Sequence, residues 1–99
     1  MFYVYILRCR NASLYVGYTQ NIEARVKAHN LGLGAAYTYK HGPVELVYSE
    51  AHLTRLAAIR RERQLKGWTR CKKEALIRGD LAGLKALSKR RKSSHGSPP

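Results

Sequence analysis

A chain of 99 residues has room for one compact domain and for no second core of useful size. Its nineteen Lys and Arg residues against six acids leave a formal charge of +13, and such a field attracts polyanions. No apolar run approaches the roughly 20 residues that cross a bilayer, which excludes a membrane-spanning helix.

The positive charge is unevenly distributed along the chain. Most basic residues follow residue 54, where the acids are only Glu62, Glu74 and Asp80. Nucleic acid is the expected partner, because counterion release favours binding for each phosphate that is neutralised. Association with ribosomes and simple solubility are alternatives that charge alone does not separate.

The cysteines and the first residues indicate a cytoplasmic protein. Cys9 and Cys71 form no CxxC motif and suggest neither a disulfide framework nor a zinc site. The opening FYVYIL has no basic segment before it and no small-residue cleavage pattern after it, so we do not interpret it as a signal peptide.

The chain starts with a predicted antiparallel β-hairpin. Residues 2–9 and 14–18 are rich in aromatic and β-branched residues, and the turn residues RNAS separate them. Side chains alternate along a strand, so Tyr5 and Tyr15 share a face only in the right register, which the sequence does not fix. Gly17 inside the second strand indicates a bulge or a close approach by another group.

A helix is predicted next, over about residues 22–30. Either Thr19 or Asn21 can cap its beginning, and a glycine-bearing segment follows its end. Arg25 and His29 are four residues apart and are therefore neighbours on this helix.

The rest of the chain is predicted to contain one strand and three helices. They lie at residues 44–51, 54–66, 69–78 and 80 to about 87. The basic tail at 89–99 has little to bury and is expected to be disordered. The order of elements predicts a single α+β domain over residues 1–88, with a small three-stranded antiparallel sheet flanked by helices.

Five residues form a candidate site: Tyr5, Tyr15, Arg25, His29 and Glu62. Each has a structural interpretation that is the commoner one for a residue taken alone. Strand tyrosines usually pack with the hydroxyl at the edge, and a histidine near an apolar stripe is usually a packing residue. The glutamate precedes a lysine by four residues, which favours a surface ion pair on a helix.

Taken together and in this order, these residues resemble the GIY-YIG nuclease superfamily. The resemblance rests on Tyr3-Val4-Tyr5 and Tyr15-Val16-Gly17, on an arginine ten residues later, a histidine four further on and a helical glutamate. It covers roughly residues 2–80 and is closest to small bacterial single-domain members. Two departures stand out. Tyr3 replaces the family's first glycine, and the late asparagine of many members has no counterpart after Asn30.

The resemblance implies a metal-dependent endonuclease that hydrolyses DNA phosphodiester bonds with one metal ion, used in repair, recombination or nucleic acid turnover. Glu62 would hold Mg²⁺ or Mn²⁺, and the Arg25 guanidinium suits two directed bonds to phosphate oxygens. Tyr5 or His29 would act as the base, with Tyr15 positioning water or phosphate beside them. A phenol has a pKa near ~10, which nearby cations are expected to lower.

Other basic residues would follow the nucleic acid backbone, although most are expected on solvated helix faces. The candidates are Lys40, Arg61, Arg63, Lys66, Arg70, Lys72 and Lys73. Tyr37 and Tyr39 can stack on an exposed base or simply anchor their loop. No recognition helix or inserted module for reading bases is evident, so strong sequence specificity is not expected. Recognition of a flap, a branch or a single strand is compatible with the small size of the domain.

Two alternatives to a nuclease stay open from the sequence. The first is a nucleic acid binding module that keeps the fold with little or no turnover, an interpretation favoured by the missing asparagine. The second is a protein interaction domain, which the charge disfavours.

Overall fold

The computed structural model describes residues 1–31 and 43–96, with side-chain environments up to residue 88. Three strands and four helices make up this part of the chain. In order they are β1 (Phe2–Cys9), β2 (Leu14–Thr19), α1 (Ile22–Asn30), β3 (Val44–His52), α2 (Arg55–Lys66), α3 (Arg70–Arg78) and α4 (Leu81–Gly96). The predicted α+β class with a three-stranded antiparallel sheet is confirmed.

The chain divides into two compact units. The first, Met1–Gly67, contains the sheet together with α1 and α2, and the second begins at Trp68 and contains α3 and α4. In the described residues, no helix has both the length and the apolar character that a bilayer crossing requires.

Strand β1 lies at the centre of the sheet, whose strand order is β2-β1-β3. Its register against β2 pairs Tyr5 with Gly17 and Leu7 with Tyr15. Because side chains alternate along a strand, Tyr5 and Leu7 point to one face, and the residues opposite them point the same way. The two site tyrosines, Tyr5 and Tyr15, therefore share a face of the sheet.

Helix α1 covers the face of the sheet that carries Tyr5. On this face Tyr5, Leu7 and Cys9 form a buried cluster with Val44 of β3, and Val26 of α1 packs against it. Burying such side chains contributes roughly 1.5–3 kcal/mol each, which holds α1 in place.

Helix α2 covers the opposite face of the sheet. Val4 and Ile6 point to this face and are fully buried. Glu50 is paired with Val4 in the register of β1 and β3, so its side chain lies on the same face. Arg61 of α2 donates from Nε to the Glu50 carboxylate at 2.9 Å, which attaches the helix there. The sheet is thus enclosed from both sides.

Polar caps begin the helices where the sequence predicts them. The side chains of Asn21, Thr54 and Thr69 each accept a hydrogen bond from the backbone N–H three residues on, at 3.0, 3.1 and 3.3 Å. Gly67 ends α2, and Gly79 ends α3 with φ of 71°, a left-handed conformation that glycine adopts without strain.

The last helix is longer than predicted. Its predicted end near Leu87 is wrong, because α4 continues to Gly96 through most of the segment for which a disordered tail is predicted. Lys and Arg are good helix formers, and no proline interrupts the segment before Pro98. That residues beyond 88 stand apart from the domain stays a prediction.

Candidate active site

A cleft of about 770 Å³ opens in the first unit, with walls contributed by β1, β2, α1 and α2. Four of the five predicted site residues line it: Tyr5, Tyr15, Arg25 and Glu62. The fifth, His29, lies behind the cleft wall and is hydrogen-bonded to Tyr5. Residues from four separate elements, spread over almost sixty positions of sequence, therefore come together in one place.

Gly17 lets the Tyr5 phenol lie across the edge strand. A Cβ at Gly17 would stand 2.5 Å from Tyr5 Oη and 2.7 Å from Cζ, so no larger residue fits beneath the ring. The predicted close approach at this glycine is confirmed. Because β2 is an edge strand, the phenol hydroxyl reaches the border of the sheet, where Glu62, from the helix on the other face, can line the same cleft.

Tyr5, Tyr15 and His29 form a compact aromatic group. The Tyr5 Oη lies 3.3 Å from His29 Nε2, and both residues are 2% exposed. The Tyr15 ring meets the imidazole edge-on, with centroids 5.3 Å apart and planes at 64°. The single turn of α1 between Val26 and His29 brings the imidazole onto this face of the sheet.

Burial shifts the pKa values of Tyr5 and His29. It raises the pKa of Tyr5 to about 12, the nearby Tyr15 and Glu62 raise it as well, and Arg25 lowers it without reversing the shift. Burial and the neighbouring Arg25 charge both lower the pKa of His29. The pKa of Tyr5 is therefore raised, whereas nearby cations were expected to lower it. The prediction is wrong because desolvation of the phenol outweighs the effect of the Arg25 guanidinium. At neutral pH the phenol is protonated, and the imidazole is neutral and can accept its proton.

The Glu62 carboxylate is the acidic group of the cleft. Its side chain is 15% exposed, and the Lys66 ammonium lies 3.3 Å from Oε2, as the spacing along the helix predicts. Within the described residues, no three His, Cys, Asp or Glu side chains come together, so these residues provide no multi-carboxylate metal cage. Mg²⁺ keeps several waters and binds through one or two carboxylates plus phosphate oxygens. A single carboxylate in an open cleft fits that donor set.

Two arginines face the cleft, one of which sequence analysis did not identify. Arg25 lies on α1, and Arg55 begins α2, where its Nη2 donates to Tyr18 Oη at 3.3 Å. Among the described side chains, neither arginine is bonded to a carboxylate. The spacing of seven residues from Arg55 to Glu62 could have revealed this position, since residues seven apart share a face of a helix.

The predicted backbone-binding residues of the first unit have different surroundings. Arg63 is exposed, and Lys66 is half-exposed beside Glu62. Arg61 is held by Glu50 and donates a further bond from Nη1 to Gln64 Oε1 at 2.9 Å. Lys40, like Tyr37 and Tyr39, lies outside the described residues.

In the second unit, Arg70 pairs with Glu74 at 3.2 Å, and Lys73 is half-buried. Lys72 is 8% exposed, with its ammonium 4.3 Å from the centroid of the Trp68 ring, which is a packing arrangement. Nucleic acid contacts by any of these residues stay a prediction.

Strand β3 and helix α2 carry a second cluster of Tyr, Glu, His and Arg side chains, none of which lines the cleft. This Glu50 cluster consists of Tyr48, Glu50, His52 and Arg61. Tyr48 Oη donates to Glu50 Oε1 at 2.5 Å, and His52 Nε2 lies 2.6 Å from Oε2. Burial alone would raise the pKa of Glu50, but the hydrogen bonds from these three partners outweigh it and lower the pKa.

Comparison with known proteins identifies a family. A family model described as the GIY-YIG catalytic domain matches residues 1–75. A UPF0213 protein of Haloquadratum walsbyi is 51% identical over 74 residues, covering 75% of this chain and 83% of that protein. A UPF0213 protein of Staphylococcus aureus is 47% identical over 76 residues, covering 77% and 93%.

Two solved structures are similar as well. The solution NMR structure of a UPF0213 protein from Bacillus halodurans has a TM-score of 0.51 at 44% identity, covering 78% of this chain and 83% of that one. The NMR structure of a protein from E. faecalis has a TM-score of 0.54 at 38% identity, covering 78% and 82%.

Proposed function

Since the chain belongs to the GIY-YIG family of nucleases, we propose that it is a metal-dependent endonuclease that hydrolyses DNA phosphodiester bonds. One observation carries the proposal. Tyr5, Tyr15, Arg25 and Glu62 line a single open cleft, and His29 is hydrogen-bonded to Tyr5 at its wall. A phosphate in this cleft would meet a cation, a carboxylate and a proton acceptor together.

Arg25 binds the scissile phosphate in this proposal. A guanidinium makes two directed hydrogen bonds to phosphate oxygens and stabilises the extra negative charge of the pentavalent transition state. Arg25 lines the cleft with no bond to a carboxylate in the described part of the chain, so its charge is available to substrate. Tyr15, beside His29, positions the attacking water or the phosphate.

The proton of the attacking water leaves through Tyr5 and His29. A phenol with a pKa of about 12 is not ionised at neutral pH, so Tyr5 relays a proton instead of acting as a preformed base. Its hydroxyl passes a proton to Nε2 of the neutral His29, 3.3 Å away, while it takes one from water. The water oxygen forms the new bond to phosphorus, the bond from phosphorus to the leaving oxygen breaks, and solvent protonates that oxygen.

Glu62 would hold one Mg²⁺ or Mn²⁺, with waters and a substrate phosphate oxygen completing the coordination. When bound, the ion supplies Lewis-acid stabilisation of the leaving oxygen. Lys66, beside the carboxylate, keeps Glu62 paired until a cation of higher charge arrives. The single carboxylate in the lining of the cleft supports a one-ion arrangement.

The proposed substrate is DNA, cleaved in repair, recombination or nucleic acid turnover in the cytoplasm. A charge of +13 supports a polyanionic partner. The open cleft and the small size of the domain are compatible with recognition of a flap, a branch or a single strand.

A cleavage screen tests the proposal. Full-length protein with Mg²⁺ or Mn²⁺ is incubated with single-stranded, flapped and branched oligonucleotides, and EDTA should stop any cutting. Glu62→Gln should abolish cleavage, and the matched control Glu45→Gln, which changes an exposed carboxylate of β3, should not. Equal cleavage by Glu62→Gln and the parent would refute the metal assignment.

A second candidate function is binding without turnover. It is favoured by the lack of any asparagine after Asn30, where many members of the family carry one. It predicts tight, salt-sensitive binding of the same oligonucleotides with no product under any metal condition, whereas the nuclease proposal predicts product.

A further inference from the structure

We propose that Arg55 binds a phosphate that flanks the scissile one, so that the cleft holds two phosphate groups of the same nucleic acid strand. The proposal rests on the function above in placing the scissile phosphate at Arg25 and Glu62. It adds a second anchoring residue that fixes where along the strand the cut falls.

The position of Arg55 on its helix supports this assignment. Arg55 and Glu62 lie on the same face of α2, seven residues or about 10.5 Å of helix apart, and both line the cleft. A nucleic acid strand carries one phosphate for about every 3.4 Å of duplex axis. Because the distance along the helix from Glu62 to Arg55 exceeds the spacing between neighbouring phosphates, Arg55 would meet a phosphate that is near the scissile one but distinct from it.

The guanidinium of Arg55 is oriented and still has donors to spare. Its Nη2 donates to Tyr18 Oη at 3.3 Å, which uses one of five N–H groups. Tyr18 comes from β2, so the sheet and the helix together fix the direction of the side chain. A guanidinium held in this way can present two parallel N–H groups to a phosphate.

The surrounding charges point to an anion with more than one negative group. Three arginines of the described chain are paired with acids: Arg61 with Glu50, Arg70 with Glu74 and Arg78 with Asp80. Arg55 and Arg25, in contrast, have no carboxylate bonded to them within the described residues, and both face the cleft. The Glu62 carboxylate already has Lys66 beside it. Two arginine charges thus face the cleft, which suits two phosphodiesters.

A structural role for Arg55 gives a different expectation. If the bond to Tyr18 only attaches the start of α2 to β2, removing the arginine should lower stability and binding whatever the substrate. If Arg55 contacts a phosphate, the loss should depend on the charge of one particular phosphate. A double-mutant cycle between protein and substrate separates the two roles.

The experiment uses the full chain and labelled oligonucleotides with one phosphate at a time replaced by an uncharged methylphosphonate. Binding is measured in EDTA, so that it does not depend on turnover. At one flanking position the parent should lose roughly tenfold in affinity, as expected for a charge-assisted contact. Arg55→Ala should bind the unmodified strand about tenfold more weakly than the parent does. For this variant, a methylphosphonate at that same flanking position should cause no further loss of affinity.

Arg60→Ala is the matched control. Arg60 is exposed on the same helix and is not part of the cleft wall. Arg60→Ala therefore removes the same charge as Arg55→Ala, but from outside the cleft. Its effect and that of each methylphosphonate should be additive. Additive losses for Arg55→Ala at every position, or coupling of the same size for Arg60→Ala, would overturn the proposal. Coupled binding without any cleavage would sustain the phosphate contact and refute the nuclease function instead.

Discussion

The side-chain types that line the cleft occur a second time in the first unit, in the Glu50 cluster. Around the cleft they are Tyr5, Arg25, His29 and Glu62. In the other cluster they are Tyr48, Arg61, His52 and Glu50. Each of these two sets of four combines one phenol, one guanidinium, one imidazole and one carboxylate, so residue types alone do not distinguish the proposed catalytic site from a structural cluster.

The two groups differ in where the hydrogen bonds go. In the Glu50 cluster each of the other three residues reaches the carboxylate, which accepts from Tyr48 at 2.5 Å, from Arg61 at 2.9 Å and has His52 at 2.6 Å. The carboxylate has little capacity left for a ligand. The cluster attaches β3 to α2 and has a structural role.

In the cleft the same groups are kept apart. Tyr5 is bonded to His29 and not to an acid, Glu62 is 3.3 Å from Lys66, and Arg25 has no bond to a carboxylate among the described side chains. In the proposed reaction, the cation, the acid and the proton acceptor would thus meet the substrate. The pattern of pairing, more than the residue types, distinguishes the proposed catalytic group from the Glu50 cluster.

The largest expected effect comes from the same substitution made in both clusters. Glu62→Gln should reduce cleavage by at least roughly 10²-fold, since it removes charge stabilisation from the reacting phosphate, while the midpoint of urea unfolding stays nearly constant. Glu50→Gln should instead lower the midpoint of urea unfolding and leave cleavage nearly unchanged. An amide cannot accept from every donor that now reaches the carboxylate, which costs about 1–3 kcal/mol of folding free energy.

Cleavage per folded molecule should stay within a few-fold of the parent in Glu50→Gln, measured well below the unfolding transition. If Glu50→Gln loses cleavage as completely as Glu62→Gln while still folded, the division into a structural and a catalytic cluster is wrong.

The next effect disturbs the cleft without deleting any polar group. Gly17→Ala puts a methyl group 2.5 Å from Tyr5 Oη, so the phenol must move off the edge strand and away from His29. We expect a loss of cleavage of roughly tenfold or more and a cost of about 1–3 kcal/mol in the free energy of unfolding, as for overpacking.

The control is Gly67→Ala at the end of α2. A Cβ there meets its nearest heavy atom at 3.6 Å, which is ordinary contact, and the backbone φ of −83° suits alanine. This variant should keep both stability and cleavage. Normal activity in Gly17→Ala would show that the placement of the Tyr5 hydroxyl is unimportant.

A smaller effect concerns pH. The pKa of His29 is lowered from its ordinary value of 6.5, so the imidazole stays neutral, and able to accept a proton, below that pH. Cleavage should therefore hold at pH 6.5 and fall only as the pH drops through the lowered value. Below pH 6.5 the unfolded chain takes up the proton first, so folding stability should decrease from about pH 6.5 down to the lowered native pKa and level off below it.

His29→Asn should remove both dependences, leaving a low cleavage rate without this acid limb and a flatter stability profile. Rates at saturating substrate and urea midpoints between pH 5 and 8 provide the measurement. An acid limb of the same position and depth in the variant would assign the proton acceptor to another residue.

Local signals in the sequence predicted much of this structure. The caps at Asn21, Thr54 and Thr69 begin helices because their side chains bond to the first turn, a contact within three residues. The strands of the hairpin follow from β-branched and aromatic residues. Gly17 was recognisable because a glycine inside a strand signals a close neighbour.

Long-range features could not be predicted in the same way. The common face of Tyr5 and Tyr15 depends on strand register, and the pairing of Arg61 with Glu50 depends on a register in β3 as well as on the docking of α2. The direction in which the pKa of Tyr5 is shifted depends on burial, and the order of residues along the chain does not reveal how deeply a side chain is buried. Arg55 was missed because its seven-residue spacing to Glu62, although it puts both on one face of a helix, is common in helices and gains meaning only once both residues are known to line the cleft.

The smallest expected effect uses the two tyrosines whose pKa is raised to about 12, one in each cluster. Burial is the main cause for both, but Tyr48 is also held protonated by its bond to Glu50, whereas Tyr5 faces the cleft and Arg25. An unfolded tyrosine ionises near ~10, so each native phenol adds stability that is complete below that pH and is lost as the pH rises toward 12.

Tyr5→Phe and Tyr48→Phe should each remove one late step from the alkaline absorbance titration of the phenolates and flatten the loss of stability above pH 10. A bound phosphate would bring negative charge to the cleft and should raise the pKa of Tyr5 further, without moving that of Tyr48. Titrating each variant with and without a short oligonucleotide measures this difference. A shift of both tyrosines, or of Tyr48 alone, would mean that the phosphate binds away from the cleft, and the distinction between the two clusters would lose its functional meaning.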